Sequence, residues 1–304
     1  MDAIRITHEL ELDVFETVQA DEVKAGLVPF ENSTNGSVVF TLDDLADRDG
    51  RYKDITVDGE VYVDVHHCLL DHKDPAQTAE EAADGSGTCT PTAAEPSPSR
   101  PRTKPLSSLK HIRRLYSHPQ AFGQCNAFIS TYLKGVEIFE VSSTSKAAEI
   151  VSKDGTGTYA AISSQLAAEL HGLDLLGKSI EDRSDNTTRF LIIGKNPTPP
   201  PPTGREDVTL GAASPGTKSM VSFTVPHDSP GALAEALSCF RAFDLNLTSI
   251  NSRPSLVKPF QYIFFVEFEG HRHRDPEGRV KGALDKISHV AESWRWLGSW
   301  ERRR

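Results

Sequence analysis

The chain is poor in sulfur, in positive charge and in long apolar runs. Its 304 residues include four cysteines and two methionines. Cys68, Cys89, Cys125 and Cys239 are scattered, without the close spacing that holds a metal ion. Isolated thiols of this kind fit a reducing compartment and buried or idle side chains, so the expected location is the cytoplasm. No apolar run approaches membrane-spanning length. Residues 1–12 alternate charged and apolar side chains and lack the apolar core of a secretion signal. Lys and Arg number 33 against 43 Asp and Glu, a net charge of −10. That balance argues against a nucleic-acid partner and against an anionic membrane surface. An anionic substrate would need a site that concentrates positive potential against this overall field. No nucleotide loop, redox motif or metal spacing is visible, so no cofactor is expected.

What is present is enough chain for two domains, with two stretches that break the pattern. Residues 71–110 are rich in Ala, Thr, Ser, Pro, Glu and Gly, with almost no large apolar side chain. Such a segment cannot bury enough surface to offset its ordering entropy, which predicts a disordered, dispensable loop. Residues 196–218 include Pro197, Pro199, Pro200, Pro201 and Pro202. Four consecutive prolines favour a stiff spacer. The expected division is therefore residues 1–195, a linker at 196–218, and residues 219–304.

The first part alternates strand and helix signals. Leu27-Val28, Val61-Tyr62-Val63-Asp64-Val65, Val136-Glu137-Ile138-Phe139, Tyr159-Ala160-Ala161-Ile162 and Phe190-Leu191-Ile192-Ile193 read as short strands. Phe122, Cys125, Ile129, Tyr132 and Leu133 recur at helical spacing. They predict one helix over 119–133 with Ser117 or His118 as cap and Pro119 in its first turn. Another helix is predicted over 163–170, stopping at Gly172. Strand-helix alternation argues an α/β domain. After the prolines come a strand at 220–225, a helix at 230–243 capped by Ser229, strands at 246–251 and 262–268, a helix at 280–290 and a strand at 294–300. The order βαββαβ is ferredoxin-like. So small a unit has a limited core and gains from pairing, so a homodimer or homotetramer is expected.

Several polar phrases sit at predicted element ends. Thr188 can offer a placed hydrogen bond, or Asn186-Thr187-Thr188 is a polar turn before a strand. Arg189 can grip a carboxylate bidentately, or pair with Asp185. Glu31-Asn32-Ser33 follows a short strand, where α/β folds place ligands, or it forms an Asx turn through Asn35-Gly36. Ser117 sits before a helix start whose free N–H groups suit an anion, and Gln124 lies two turns on; ordinary capping is the alternative for Ser117. His118 reads as a cap or structural residue rather than a general acid. Ser143-Thr144-Ser145 opens another helix and offers a second anion site by the same logic.

These phrases fall in a fixed order. Val28-Pro29-Phe30-Glu31-Asn32-Ser33, Ser117-His118-Pro119-Gln120-Ala121-Phe122-Gly123-Gln124-Cys125, Ser143-Thr144-Ser145-Lys146-Ala147-Ala148 and Asp185-Asn186-Thr187-Thr188-Arg189-Phe190 come first. Ser229-Pro230-Gly231-Ala232-Leu233 and Asn251-Ser252-Arg253-Pro254 follow. In this order they resemble the prephenate dehydratase family with its C-terminal ACT domain, from about Leu10 to the end apart from the insert and linker.

The resemblance implies a two-lobed catalytic domain similar to the periplasmic-binding-protein type, with substrate in the cleft between lobes, followed by an ACT domain. It implies a carbon–oxygen lyase of L-phenylalanine biosynthesis, converting prephenate to phenylpyruvate, water and carbon dioxide, with feedback inhibition by phenylalanine. Thr188 would be catalytic. Asn32, Glu31, Ser117, Gln124 and Arg189 would contact substrate, all lining one cleft with Thr188. Gly231, Ala232, Leu233, Asn251, Ser252, Arg253 and Pro254 would bind phenylalanine between subunits. The alternatives are arogenate dehydratase, which takes an amine in place of the keto group, and a truncated homologue that only binds an amino acid.

Two departures stand out. Asn251 replaces the glutamate usual in Glu-Ser-Arg-Pro. The Gly-Pro-x-Gly-Thr-type loop that usually follows the family's first strand is absent, since the chain starts just before Leu12-Asp13-Val14-Phe15-Glu16-Thr17-Val18, which looks like the second helix. That implies either an incomplete gene product or a loss of activity, because a missing central strand disrupts a packed sheet.

Overall fold

A computed structural model describes residues 11–72, 100–195, 216–226 and 228–303. The order of elements begins α1 (Glu11–Gln19), β1 (Ala25–Asn32), β2 (Gly36–Ser37), α2 (Val39–Ala46), β3 (Ile55–Asp64), β4 (Cys68–Asp71) and β5 (Arg114–Ser117). It continues through α3 (Pro119–Gln124), α4 (Asn126–Tyr132), β6 (Glu137–Glu140), α5 (Thr144–Ser152), β7 (Tyr159–Ser163), α6 (Gln165–His171), β8 (Asp174–Gly177) and β9 (Thr187–Lys195). The last elements are β10 (Thr217–Thr224), α7 (Ala232–Ala242), β11 (Leu247–Pro254), β12 (Tyr262–Glu269), α8 (Arg279–Val290) and β13 (Ser293–Glu301). Among the described residues no helix is long and apolar enough to cross a membrane.

The chain divides into two compact units, one of residues 1–32, 36–63 and 188–304, the other of residues 33–35 and 64–187. The first unit holds an eight-stranded sheet in the order β11-β12-β10-β13-β3-β9-β1-β2. Its last six elements form the predicted βαββαβ, with every strand pair antiparallel and α7 and α8 packed on one core with Phe223, Phe240, Val266 and Ile287. This module does not stand apart as the proline-rich stretch suggests. Met220, Phe265, Leu297 and Trp300 enter a second core with Phe15 and Val18 of α1, Val28 and Phe30 of β1, and Leu191 and Ile193 of β9. The two parts of the sheet meet where β13 runs parallel to β3 at Gly298 and Val57. A Cβ at position 298 would lie 2.0 Å from the Val57 carbonyl oxygen, and the backbone there has φ +149°. Only glycine permits that approach.

The second unit is a five-stranded sheet, β6-β5-β7-β4-β8. β6, β5 and β7 are parallel, and β4 pairs antiparallel with β7 and β8. Helices cover both faces. Phe128, Leu115, Ile162 and Leu176 fill one side, and Leu70, Ala147, Val151 and Ala168 the other. Burial on two faces explains why β7 reads as a continuous apolar run, whereas the edge strand β6 is exposed along its length.

Several boundaries differ from expectation. The loop predicted over 71–110 is narrower, because Asp71 ends β4, fully buried, with its carboxylate 2.8 Å from His111 Nε2. At the other end Arg102 bonds Glu181, and the Leu106 N–H donates to the Leu176 carbonyl. Residues 73–99, with Cys89, and Pro197 to Pro202 lie outside the described residues. The linker predicted to reach 218 is shorter, since β10 starts at Thr217.

The single helix predicted over 119–133 breaks at Cys125 (φ −121°, ψ 23°). Asp182 satisfies the break from both sides, its N–H donating to the Gln124 carbonyl and its carboxylate accepting the Ala127 N–H. Ser163 is the last residue of β7, and Ser164 caps α6. Gly231, not Ser229, occupies the cap of α7, at φ +84°.

Candidate functional site

β1 and β9 are adjacent and antiparallel, with Asn32 opposite Thr188 and Glu31 opposite Arg189. Two residues 156 positions apart are thereby brought side by side. The Asn32 Nδ2 donates to Thr188 Oγ1 at 3.0 Å. Thr188 is therefore a strand residue rather than part of a turn, and it is half-buried. Side chains alternate along a strand, so Thr188 points away from the face that Thr187 and Arg189 share. Beyond Asn32 the chain folds back through Gly36, at φ +81°, into β2.

Arg189 is neither a free carboxylate grip nor a partner of Asp185. Its fork is filled by Glu267 of β12, at 2.7 Å from Nη1 and 2.5 Å from Nη2. Glu60 of β3 accepts a further bond at 3.2 Å. Nε lies 3.1 Å from Glu31 without the alignment of a hydrogen bond. Asp185 pairs with Arg183 instead. Lys218 of β10 adds a second cation, 3.3 Å from Glu60 and 3.8 Å from Glu267. Burial works against the Arg189 charge, but the bonds to Glu267 outweigh it and hold the guanidinium above its ordinary pKa. Burial likewise works against the Glu60 charge, but the Arg303 N–H, Lys218 and Arg189 hold its carboxyl below the usual range. The guanidinium expected to grip a substrate carboxylate is thus engaged by Glu267 and Glu60 of its own unit, whereas Glu31 keeps a partly exposed carboxylate beside it.

In the second unit, Ser117 is the last residue of β5 and is fully buried. Its hydroxyl donates to the Ile162 carbonyl of β7 at 2.7 Å, so it has no proton for an anion. The cap of α3 is His118, whose Nδ1 accepts the Gln120 N–H. The His118 carbonyl takes the Ala121 and Phe122 N–H groups, which leaves little of the anion site expected there. Ser143 caps α5 in the ordinary way, accepting from the Lys146 N–H at 3.0 Å. Gln124 is buried, with its carbonyl oxygen 2.6 Å from His67 Nε2.

The residues expected to bind phenylalanine differ in their surroundings. Gly231 is exposed, and among the described residues a Cβ there would meet nothing within 4 Å. Ala232 is buried and Leu233 partly so. Asn251 accepts a hydrogen bond from Ser37 at 2.5 Å. Arg253 holds Asp43 of α2 with two bonds of 2.8 Å. The Pro254 carbonyl accepts from Arg48, and Ser252 is exposed. Burial acts to raise the Asp43 pKa, but its bonds to Arg253 and Arg48 prevail and lower it.

The prephenate dehydratase family model matches residues 6–198. The chain belongs to that family. It is 35% identical over 290 residues to the bifunctional chorismate mutase/prephenate dehydratase of Stutzerimonas stutzeri, covering 95% of this chain and 64% of that protein. It thus spans less than two thirds of the length of that relative. It is 32% identical to the prephenate dehydratase of Methanocaldococcus jannaschii, over 86% of this chain and 76% of the relative. Among solved structures it is similar to a prephenate dehydratase from Arthrobacter aurescens in complex with L-Phe. That likeness has a TM-score of 0.69 and 28% identity, over 94% of this chain and 78% of the other.

For this family member, sequence reasoning missed His67, Glu60, Lys218, Glu267 and Asp43. One signal was readable. In Tyr262-Ile263-Phe264-Phe265-Val266-Glu267-Phe268 a lone acid interrupts an apolar strand, and an acid in such a place requires a buried partner.

Proposed function

We propose that this chain is a prephenate dehydratase, with Thr188 as the hydrogen-bond donor to the leaving hydroxyl and Asn32 as its partner. The single observation that carries the reading is the 3.0 Å bond from Asn32 to Thr188, within a family match to residues 6–198. Prephenate loses its ring carboxylate as carbon dioxide and its 4-hydroxyl as water. The electron pair of the breaking C–C bond completes the aromatic ring as the C–O bond breaks, so no redox step occurs. The barrier lies in expelling hydroxide, which needs a proton or a strong hydrogen bond on the departing oxygen.

A threonine hydroxyl is a weak acid alone. Because Thr188 Oγ1 already accepts from Asn32, its own proton is not needed for that bond and can be given to a ligand. The same bond stabilises the negative charge that grows on Thr188 as it gives up that proton. A preorganised donor of this kind is worth about 10²–10³ in turnover. Gln124 supplies a further substrate hydrogen bond in this reading, supported by its match to the family phrase rather than by a bound ligand.

The C-terminal module is read as an ACT domain that pairs with a second copy and binds L-phenylalanine through Gly231, Ala232, Leu233 and the Asn251 to Pro254 phrase. The support is its βαββαβ order and its likeness to the Arthrobacter aurescens protein in complex with L-Phe. The test is turnover. The purified chain should form phenylpyruvate from prephenate, more slowly with added phenylalanine. Arogenate in place of prephenate distinguishes the related dehydratase. No product from either substrate contradicts the proposal.

A further inference from the structure

We propose that His67 is a positioning residue, which fixes the side-chain amide of Gln124 so that it meets a ligand only as a hydrogen-bond donor. The inference rests on the reading of Gln124 as a substrate contact. His67 lies between β3 and β4, with its backbone held on both sides by one segment. Its N–H donates to Glu181 Oε2 at 2.9 Å, and its carbonyl accepts the Ile180 N–H at 2.9 Å. Glu181 is itself 1% exposed and held by Arg102 at 3.1 Å, with His66 Nδ1 at 3.2 Å. The imidazole is 7% exposed, and its Nε2 is 2.6 Å from Gln124 Oε1. Gln124 is anchored in turn through its backbone carbonyl, which accepts the Asp182 N–H at 2.7 Å.

The chemistry of the pair follows from its two members. An amide oxygen can only accept, so the imidazole proton facing it must sit on Nε2. Burial, opposed in part by the bond to Gln124, disfavours the charged ring, so His67 is neutral and holds a single N–H. With its oxygen occupied by His67, Gln124 has only its NH₂ group to offer, and among the described residues that group takes no partner. Two N–H donors suit an anionic or hydroxyl oxygen of the substrate. Without His67 the amide can rotate by half a turn and present its oxygen, which repels a carboxylate. An apolar neighbour at 67 would therefore cost substrate affinity without touching substrate.

The experiment is a double-mutant cycle on the full chain, with a tautomer measurement beside it. His67→Leu should lower kcat/KM for prephenate about tenfold or more, chiefly through KM, and His67→Gln, which keeps a donor, should recover most of that loss. In a Gln124→Ala background His67→Leu should change nothing beyond twofold. Additive losses in a Gln124→Ala enzyme that is itself impaired overturn the role of His67 alone. A Gln124→Ala enzyme indistinguishable from the parent overturns the substrate contact, and with it this inference. If His67→Leu fails to fold, ¹⁵N spectra of histidine-labelled parent protein, assigned with His67→Gln, decide the matter. A neutral ring protonated at Nε2 is expected, and one protonated at Nδ1 overturns the proposal.

Discussion

The buried ion cluster around Arg189 predicts an unequal response to removing either end of its shortest pair. Arg189 and Lys218 face Glu60 and Glu267, all nearly inaccessible, with Glu31 at the rim. That is two cations against three carboxylates. Glu267→Ala removes two charge-assisted bonds but leaves two cations facing two carboxylates. Arg189→Ala leaves Lys218 alone against three, with Glu60 and Glu267 both deprived of their guanidinium, and it strips the cation that lies 4.8 Å above the Phe30 ring.

Breaking a buried pair costs about 3–5 kcal/mol, mostly through the charge left behind. Glu267→Ala should fall near the bottom of that range and Arg189→Ala at or above the top. Arg189→Met combined with Glu267→Leu should recover to within about 2 kcal/mol of the parent, because apolar residues of similar size remove both orphaned charges at once. Urea unfolding at neutral pH, with equal slopes across the set, measures all three. The reasoning is refuted if Glu267→Ala is as costly as Arg189→Ala. It also fails if both cost less than about 1 kcal/mol, the level of an exposed pair.

Three further outcomes follow from particular contacts. Gly298→Ala sets a Cβ 2.0 Å from the Val57 carbonyl, a backbone atom that cannot swing aside; it should lower the thermal midpoint more than Gly231→Ala, whose Cβ meets nothing among the described residues and whose cost is about 1 kcal/mol of left-handed backbone strain. Burial depresses His67 below its usual value of 6.5, against the opposing pull of Gln124 and Glu181 and with the aid of His66. The folded state then prefers the neutral ring, so this contribution is complete above pH 6.5 and is lost as pH falls through the folded-state value. Stability of His67→Gln should accordingly decline less than that of the parent on acidification through this window. Asp43→Asn frees Arg253 from a competing intramolecular carboxylate; if Arg253 contacts phenylalanine, calorimetry should find severalfold tighter binding, and unchanged affinity would separate Arg253 from the ligand.

Much of the fold was legible because local signals agreed with the final packing. β1, β7 and β9 are apolar runs with clear ends, and Gly172, at φ +66°, stops α6 as a left-handed cap should. The module's six elements each carry their own periodicity. β4 was not legible, since Cys68-Leu69-Leu70-Asp71 merges into polar sequence and its strand character comes from β7 and β8 on either side. The break at Cys125 was hidden for a similar reason: Asp182, distant in sequence, creates it.

The candidate site divides along the same line. Asn32 and Thr188 were singled out by the family resemblance, since their residue types and positions alone left a turn reading open for each. The engagement of Arg189 by Glu267, and of Ser117 by the Ile162 carbonyl, was not legible, because both partners are brought near by sheet register. A residue's type states what it can bond, and only the fold states what it has already bonded.

Turnover of prephenate by the parent chain and by Thr188→Ala tests the central claim most directly. The account predicts phenylpyruvate from the parent, and a turnover about 10²–10³ lower in Thr188→Ala with KM little changed, because the hydroxyl acts on the departing oxygen rather than on bound substrate. A Thr188→Ala enzyme that matches the parent, or a folded parent that yields no phenylpyruvate, would contradict it.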